Sequence, residues 1–196
     1  MFVQVIHGKC TDPDGLRAQM EKWRTELMPN ANGFIGSTSG VTDEGEWVLA
    51  ARFSSEKEAR SNSDSEAQSA WWEETSRYIE NAEFHDSTEV MEWGGGGSDD
   101  AGFVQVMQGT ATKEARDRME AQMNDDSDRD IRPDVIDGYS AAYGDGEFTT
   151  VVYFTSEEEA RKGEQSPEFQ ERQQDDMQGF EMNRFWDLRD PILITK

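Results

Sequence analysis

The side chains best suited to chemistry in this chain are its two histidines, His7 and His85, and one arginine, Arg52. Histidine titrates near neutral pH and is the usual proton acceptor in general base catalysis. His7 shares a strand parity with Val3 and Val5, so it could point into a cavity between helix and sheet, or simply make a hydrogen bond. Arg52 interrupts an apolar segment, where it could pair with an oxyanion or reach a surface carboxylate. We predict His7 and Arg52 as the catalytic residues.

A second group of side chains could bind a flat aromatic ligand. Two tryptophans and a tyrosine follow one another along a predicted helix, where such a stripe could equally be core. Gln4 lies inside an apolar strand, where an unpaired buried amide is costly, so it could also serve a structural hydrogen bond. The predicted substrate-binding residues are Gln4, Trp71, Trp72, Tyr78 and His85.

Signatures of metal and nucleotide sites are missing from the sequence. It contains no C-x-x-C pair, no H-E-x-x-H, no G-x-S-x-G, no phosphate loop and no G-x-G-x-x-G. Asp126, Asp128 and Asp130 have the spacing that begins a calcium loop. The sixth position of that loop is Ile131 instead of glycine and the twelfth is Asp137 instead of glutamate, so a solvated acidic loop is the better interpretation. We therefore predict no metal site and no cofactor.

The elements that must position these residues occur twice. FVQV at 2–5 returns at 103–106, and the same shift of 101 residues brings FSSEKEAR (53–60) onto FTSEEEAR (154–161). Because a single shift aligns two separate stretches of each copy, the sequence indicates a duplicated module. Glycine and aspartate dominate the stretch between the copies, which is typical of a flexible linker. The predicted domains are 1–93 and 103–196, joined by the linker 94–102.

The sequence pattern of each module predicts the order strand, helix, strand, strand, helix, strand. In the first copy the strands are 2–8, 33–41, 46–53 and 82–91. The first helix carries Leu16 to Leu27 at helical spacing, and the second begins at an N-cap serine, Ser54 or Ser55. This order is the split βαβ, or ferredoxin-like, pattern of an α+β fold.

The first strand is apolar on both faces. Phe2 and Ile6 share one face, while Val3 and Val5 share the other. A sheet that must bury both faces can be satisfied by helices on one side and a second sheet on the other. We therefore expect two ferredoxin-like βαββαβ repeats that form a pseudo-dimeric α+β barrel within one chain, and hence a monomer.

The chemistry-bearing residues differ between the copies. His7 becomes Gln108, Arg52 becomes Tyr153 and His85 becomes Trp186, while the tryptophan pair becomes Arg172 and Gln173. Either the first repeat holds a site that the second has lost, or both repeats have drifted without a site.

The charge and composition restrict the partners. The 196 residues include 42 acidic and 19 basic side chains, for a formal charge of −23, which repels nucleic acids and anionic membranes. Such acidity fits a well-hydrated surface or adaptation to high salt. No apolar run approaches a membrane span, no secretion signal is recognisable, and the single cysteine, Cys10, fits a reducing compartment. We expect a cytoplasmic protein whose partner is a small aromatic molecule.

The element order, the apolar first strand and the passages FSSEKEAR and FTSEEEAR resemble the dimeric α+β barrel superfamily, and within it the antibiotic-biosynthesis-monooxygenase-like proteins. The resemblance covers nearly the whole chain. It implies a cofactor-independent monooxygenase-like activity on a phenol or anthrone in a helix–sheet pocket of the first repeat. His7 would remove a proton, the carbanion would react with O₂, and Arg52 would stabilise the oxyanion.

Two alternatives stay open beside this reading. The first is a non-catalytic barrel that binds a small ligand or serves a stress-related role. The second is a heme-degrading monooxygenase, in which Gln4 would stand for the amide of those relatives and Trp71 or Trp72 for their tryptophan. Their iron-ligating histidine has no counterpart, because no histidine occurs in 55–80.

Overall fold

The structure, a computed structural model, describes residues 1–123 and 132–196, with all side chains in these ranges except 120, 122, 123, 145 and 172–176. The acidic residues Asp126, Asp128 and Asp130, and Ile131 beside them, lie outside the described residues. The chain divides into two compact units: unit 1 is 1–90 with 190–196, and unit 2 is 91–189.

The strands and helices alternate as a duplicated ferredoxin-like pattern requires. The first copy comprises β1 (Phe2–Cys10), α1 (Pro13–Lys22), β2 (Phe34–Val41), β3 (Glu46–Phe53), α2 (Glu56–Ser63), α3 (Glu66–Thr75) and β4 (Ile79–Ser87). After β5 (Glu89–Trp93) come β6 (Phe103–Ala111), α4 (Lys113–Met123), β7 (Val135–Ala142), β8 (Glu147–Phe154), α5 (Glu157–Glu164), α6 (Pro167–Asp176), β9 (Phe180–Leu188) and β10 (Ile192–Thr195). A π turn, Trp23–Leu27, continues α1, and short 3₁₀ turns cover Met28–Asn30, Ser76–Tyr78 and Gly144–Gly146.

Local sequence explains where the helices begin. Asp12 caps α1, because its carboxylate accepts a hydrogen bond from the Gly15 amide at 3.1 Å, and Pro13 occupies the first helical position. Ser55 caps α2 by accepting from the Glu58 amide at 3.3 Å, which decides between the two predicted N-cap serines. The second helix of the first repeat is broken into α2 and α3.

The described strands form two five-stranded sheets. Their strand orders are β10-β2-β3-β1-β4 and β5-β7-β8-β6-β9. β1 lies antiparallel between β3 and β4, and β6 lies antiparallel between β8 and β9. The α+β class with two ferredoxin-like repeats is thus confirmed, while the packing of the repeats as a barrel stays a prediction.

Each sheet receives its fifth strand from the segment that follows the other repeat in the sequence. The predicted strand 82–91 is in fact two strands, because the Ser87 hydroxyl accepts a hydrogen bond from the Glu89 amide at 3.0 Å and ends β4. β5 then joins β7 in the second sheet, and β10 joins β2 in the first. The segment 190–196, which the sequence repeat groups with the second copy, therefore belongs to unit 1.

Both added strands are fixed by side-chain and backbone contacts. Ile194 on β10 is buried in the core of unit 1, and the Lys196 ammonium donates to the Ala31 carbonyl at 2.6 Å. Trp93 on β5 lies directly over Gly138, where a Cβ would come within 2.1 Å of its ring. The Gly95 amide donates to the Asp137 carboxylate, so the start of the glycine-rich stretch is anchored in unit 2.

Helices cover one face of the first sheet. Phe2 and Ile6 pack there with residues of α1, α2 and α3, in a core that contains Leu16, Met20, Trp23, Phe34, Leu49, Phe53, Ala59, Trp71 and Ile194. Val3, Val5 and His7 point to the opposite face and are also buried. The predicted burial of both faces of β1 is confirmed. Among the helices of the described ranges, none has the length and apolar character needed to cross a bilayer.

Candidate functional site

Three polar side chains of unit 1 meet on the sheet face that points away from the helices. The register of β1 and β4 places Glu83 opposite His7, and His85 opposite Val5. The Nε2 atoms of the two histidines are 3.1 Å apart, and the His7 Nε2 lies 3.9 Å from a Glu83 carboxylate oxygen. The two imidazole rings stack with 5.2 Å between centroids and 22° between planes. The structure therefore joins the predicted base and a predicted binding residue in one cluster.

A bulge in β4 lies directly beside this cluster. The β1–β4 register shifts between His7 and Lys9, next to Asn81, whose φ of 54° is in the left-handed region. Gly8 permits the close approach, since a Cβ there would lie 2.7 Å from Ile79 Cγ2 and 2.8 Å from the Glu80 carbonyl oxygen. Bulges re-aim side chains and often lie beside functional sites. Here the regular register from Val3 to His7 sets Glu83 across from His7, and the bulge follows directly after this pair.

The cluster is graded from buried to exposed. His7 is 2% exposed, His85 is half-buried, and the Glu83 side chain is 56% exposed. Both of the more exposed members, His85 and Glu83, lie on β4, the last strand in the order of its sheet. Sequence reasoning missed Glu83, although its position two residues before His85 places both on one strand face.

The contact between the two histidines restricts their tautomers. Two neutral imidazoles can share a hydrogen bond only when one Nε2 carries the hydrogen and the other presents a lone pair. Such a pair can accept a proton at a remaining nitrogen. The two imidazoles and the carboxylate also present ligand atoms that all lie within 4.8 Å of one another, close enough to hold one metal ion.

Arg52 lies on the same face but at a distance from the histidines. Arg52, on β3, is 4% exposed and lies opposite Val3 of β1, whereas the β3 residue opposite His7 is Val48. The four-residue separation corresponds to about 13 Å of strand. Its guanidinium passes over Gly36, where a Cβ would come within 3.1 Å of Nη2.

The predicted aromatic residues lie on the opposite, helix-covered face. Trp71 is buried, and its indole N–H donates to the Gln19 carbonyl at 2.8 Å. The Trp72 ring packs edge-on against Phe84, 5.3 Å away, and Tyr78 packs against the same core. These rings fill the space between helices and sheet, so the helix–sheet region contains core where a pocket for His7 was expected.

Gln4 also faces away from the histidines. Its amide donates to Asp86 at 2.9 Å, and Gln105 donates to Asp187 at the same distance in unit 2. The same bond at equivalent positions accounts for a glutamine in both copies. The structural hydrogen bond that the sequence analysis gave as an alternative role of Gln4 is present.

A cleft of about 180 Å³ opens elsewhere in unit 1. It is lined by Glu26, Leu27, Asn30, Asn32, Glu58, Ser61, Asn62, Ser65 and Ala67. This lining includes none of the residues predicted for catalysis or substrate binding.

Unit 2 has a different set of side chains at the three equivalent positions. Gln108 pairs with Arg184 across β6 and β9, and Trp186 pairs with Val106. The Gln108 amide lies 3.4 Å from the Thr149 hydroxyl, to which it donates. The histidine–histidine–glutamate cluster therefore belongs to unit 1 by sequence and by geometry.

Comparisons with known proteins agree at the level of the fold. A candidate monooxygenase from Fusobacterium nucleatum superposes with a TM-score of 0.79 over 100% of this chain and 94% of its own, at 9% identity. One from Lactobacillus acidophilus gives 0.69 over 98% of both chains, at 12% identity. An anthrone oxidase-like protein gives 0.65 over 98% of this chain and 92% of its own, at 9% identity.

The chain has the fold of these monooxygenase-like proteins. No protein-family model matches the sequence, and no curated protein matches it either. The superpositions show a shared fold alone, since the identities are only 9–12%, and a shared fold does not fix the chemistry.

Proposed function

We propose that the protein is a cofactor-independent monooxygenase-like enzyme that oxidises a phenol or anthrone at the histidine pair of unit 1. The observation that carries this proposal is the 3.1 Å contact between the Nε2 atoms of His7 and His85. A buried imidazole that orients a more accessible one is an arrangement suited to accepting a proton.

His85 is the proposed proton acceptor and His7 the residue that positions it. When His85 donates its Nε2 hydrogen to His7, its Nδ1 carries the lone pair that receives the substrate proton. The half-burial of His85 favours it over His7 for contact with a substrate. This refines the sequence-based prediction, which gave the base to His7.

The reaction balances without an added reductant. Loss of a proton from the methylene of an anthrone to His85 gives a carbanion, which transfers electrons to O₂ and forms a carbon–oxygen bond. The resulting peroxide anion takes that proton back from His85 and becomes a hydroperoxide. The hydroperoxide then loses water and leaves a quinone carbonyl. Arg52 is the proposed oxyanion partner, for a substrate that extends along the same sheet face.

The test is oxygen uptake with anthrone, after subtraction of its uncatalysed oxidation. We expect His85→Ala to reduce the rate by about 10²–10⁴-fold, the usual contribution of a general base. His7→Gln introduces the residue that unit 2 has at this position, and Gln108→Ala in unit 2 is the matched control. Equal rates in the wild type and His85→Ala would refute the proposal.

A non-catalytic ligand-binding protein is the second candidate. The observation that favours a non-catalytic role is the filling of the helix–sheet region by Trp23, Phe34 and Trp71, which removes the catalytic pocket expected there, so a ligand would bind elsewhere. An aromatic ligand would then raise the melting temperature without oxygen uptake. Heme degradation receives no such support, because the Gln4 amide and the Trp71 indole are engaged within the protein.

A further inference from the structure

We infer that His7, His85 and Glu83 form a binding site for a divalent transition-metal ion of the zinc class. Two imidazoles and one glutamate are the ligand set of open zinc sites, in which water takes the fourth position. This inference concerns binding and does not rest on the proposed oxidation.

The spacing of the two imidazole nitrogens suits such an ion. Tetrahedral ligands at 2.0–2.1 Å from zinc lie about 3.3–3.4 Å apart. The Nε2 atoms of His7 and His85 are 3.1 Å apart, so an ion that replaces their shared hydrogen needs them to separate by a few tenths of an ångström and the His85 ring to turn its lone pair toward it. Both rings then carry their hydrogen on Nδ1.

Glu83 supplies the third ligand. Its carboxylate oxygen lies 3.9 Å from the His7 Nε2, somewhat wider than a tetrahedral site requires. Because the Glu83 side chain is 56% exposed, it can rotate toward the ion without disturbing the core. The negative charge of this carboxylate also reduces the net charge of the occupied site from +2 to +1.

The backbone holds these ligands in place before any ion binds. His7 lies on the strand between β3 and β4, and its 2% exposure fixes the ring. Glu83 and His85 alternate along β4 on the same face and are registered against His7 and Val5. The formal charge of −23 adds a general attraction for cations.

The second unit provides a natural negative control. Arg184 takes the place of Glu83 and puts a positive charge where the carboxylate would stand, while Trp186 replaces His85. We therefore expect one ion per chain at this type of site, bound in unit 1.

The first experiment is titration of chelator-treated protein with Zn²⁺, followed by calorimetry and by NMR of the imidazole groups. The chain has two histidines, both in the cluster, so the imidazole spectrum reports on this site alone. We expect a 1:1 complex in which both rings shift. Mg²⁺, which prefers oxygen ligands, should leave the rings unshifted.

Substitutions then separate the cluster from the other carboxylates of this acidic chain. His85→Ala and His7→Gln should each weaken Zn²⁺ binding at least about 10–100-fold, the loss usually found for removal of outer-shell partners alone. Glu83→Gln should weaken it less, and Glu80→Gln, on the same strand but outside the cluster, should leave it unchanged.

Three results would overturn the inference: no Zn²⁺ binding, binding that shifts one ring or neither, or binding that survives His85→Ala. The first and second are measured on the wild type, so they do not depend on the folding of a variant. Because the bound ion leaves the hydrogen of His85 on Nδ1, the proposed proton acceptor, Zn²⁺ should also inhibit any oxidation at this site. Loss of oxygen uptake without metal binding, or the reverse, distinguishes failure of one proposal from failure of the other.

Discussion

Ile194→Ala should destabilise unit 1, although Ile194 follows the second repeat in the chain. Its side chain is 5% exposed and packs in the core of unit 1, and its backbone pairs with Ser37 on β2. Truncation of a buried isoleucine costs about 2–5 kcal/mol, depending on how far the site can collapse. β10 is a four-residue strand at the end of its sheet, where relaxation is easy, so we expect about 2–3 kcal/mol. With a urea m-value of about 2 kcal/mol per molar, the midpoint falls by about 1–1.5 M.

Hydrogen exchange measured by mass spectrometry locates the effect. Peptides from β2 should lose protection in Ile194→Ala, while peptides from β7 in the second sheet should retain it. Thr195→Ala, an exposed position on the same strand, is the control for a change in β10 that removes no buried group. Unchanged protection of β2, or an equal loss in β7, would refute the assignment of β10 to the stability of unit 1.

Three further perturbations test the packing and the electrostatics. Gly138→Ala should lower the melting temperature, because its Cβ would lie 2.1 Å from the Trp93 ring, whereas Gly144→Ala enters open space and should be tolerated. Burial raises the pKa of the Cys10 thiol, so its alkylation at pH 8 should be slow in the folded protein and rapid after unfolding. The hydrogen bond from Lys22 lowers the pKa of Glu74. This hydrogen bond therefore stabilises the folded protein above the ordinary glutamate pKa, and the stabilisation is lost as the pH falls through the lowered pKa of Glu74. The urea midpoints of the wild type and Glu74→Gln should therefore converge between pH 6 and pH 3.

Sequence patterns predicted most elements because their causes are local. The N-cap at Ser54 or Ser55, the helical spacing of Leu16 to Leu27 and the apolar strand 2–8 are each determined by neighbouring residues. The sheet that β10 joins is not determined by neighbouring residues. The segment ILIT at 192–195 favours a strand, but its sheet depends on the path of the whole chain. The sequence also did not separate β4 from β5, since the break depends on one serine hydroxyl.

Both histidines of the candidate site were predictable from the sequence, whereas Glu83 and the geometry of the cluster were not. Strand alternation correctly grouped His7 with Val3 and Val5. It could not tell which face the helices cover, because both faces of β1 are apolar. The contact between His7 and His85 depends in addition on the pairing of β1 with β4, which sets His85 opposite Val5 and which neither strand's own pattern fixes.

Because β10 returns to the first sheet, that sheet is synthesised first but completed last. β1 to β4 emerge from the ribosome first, yet their sheet lacks its fifth strand until residues 192–195 have been made about a hundred residues later. At about 5–20 residues per second, this interval lasts roughly 5–20 s. During that time the edge of β2 is available to other strands, so the nascent chain is most exposed to mispairing before translation ends. Slower translation of the second copy should lengthen this vulnerable period.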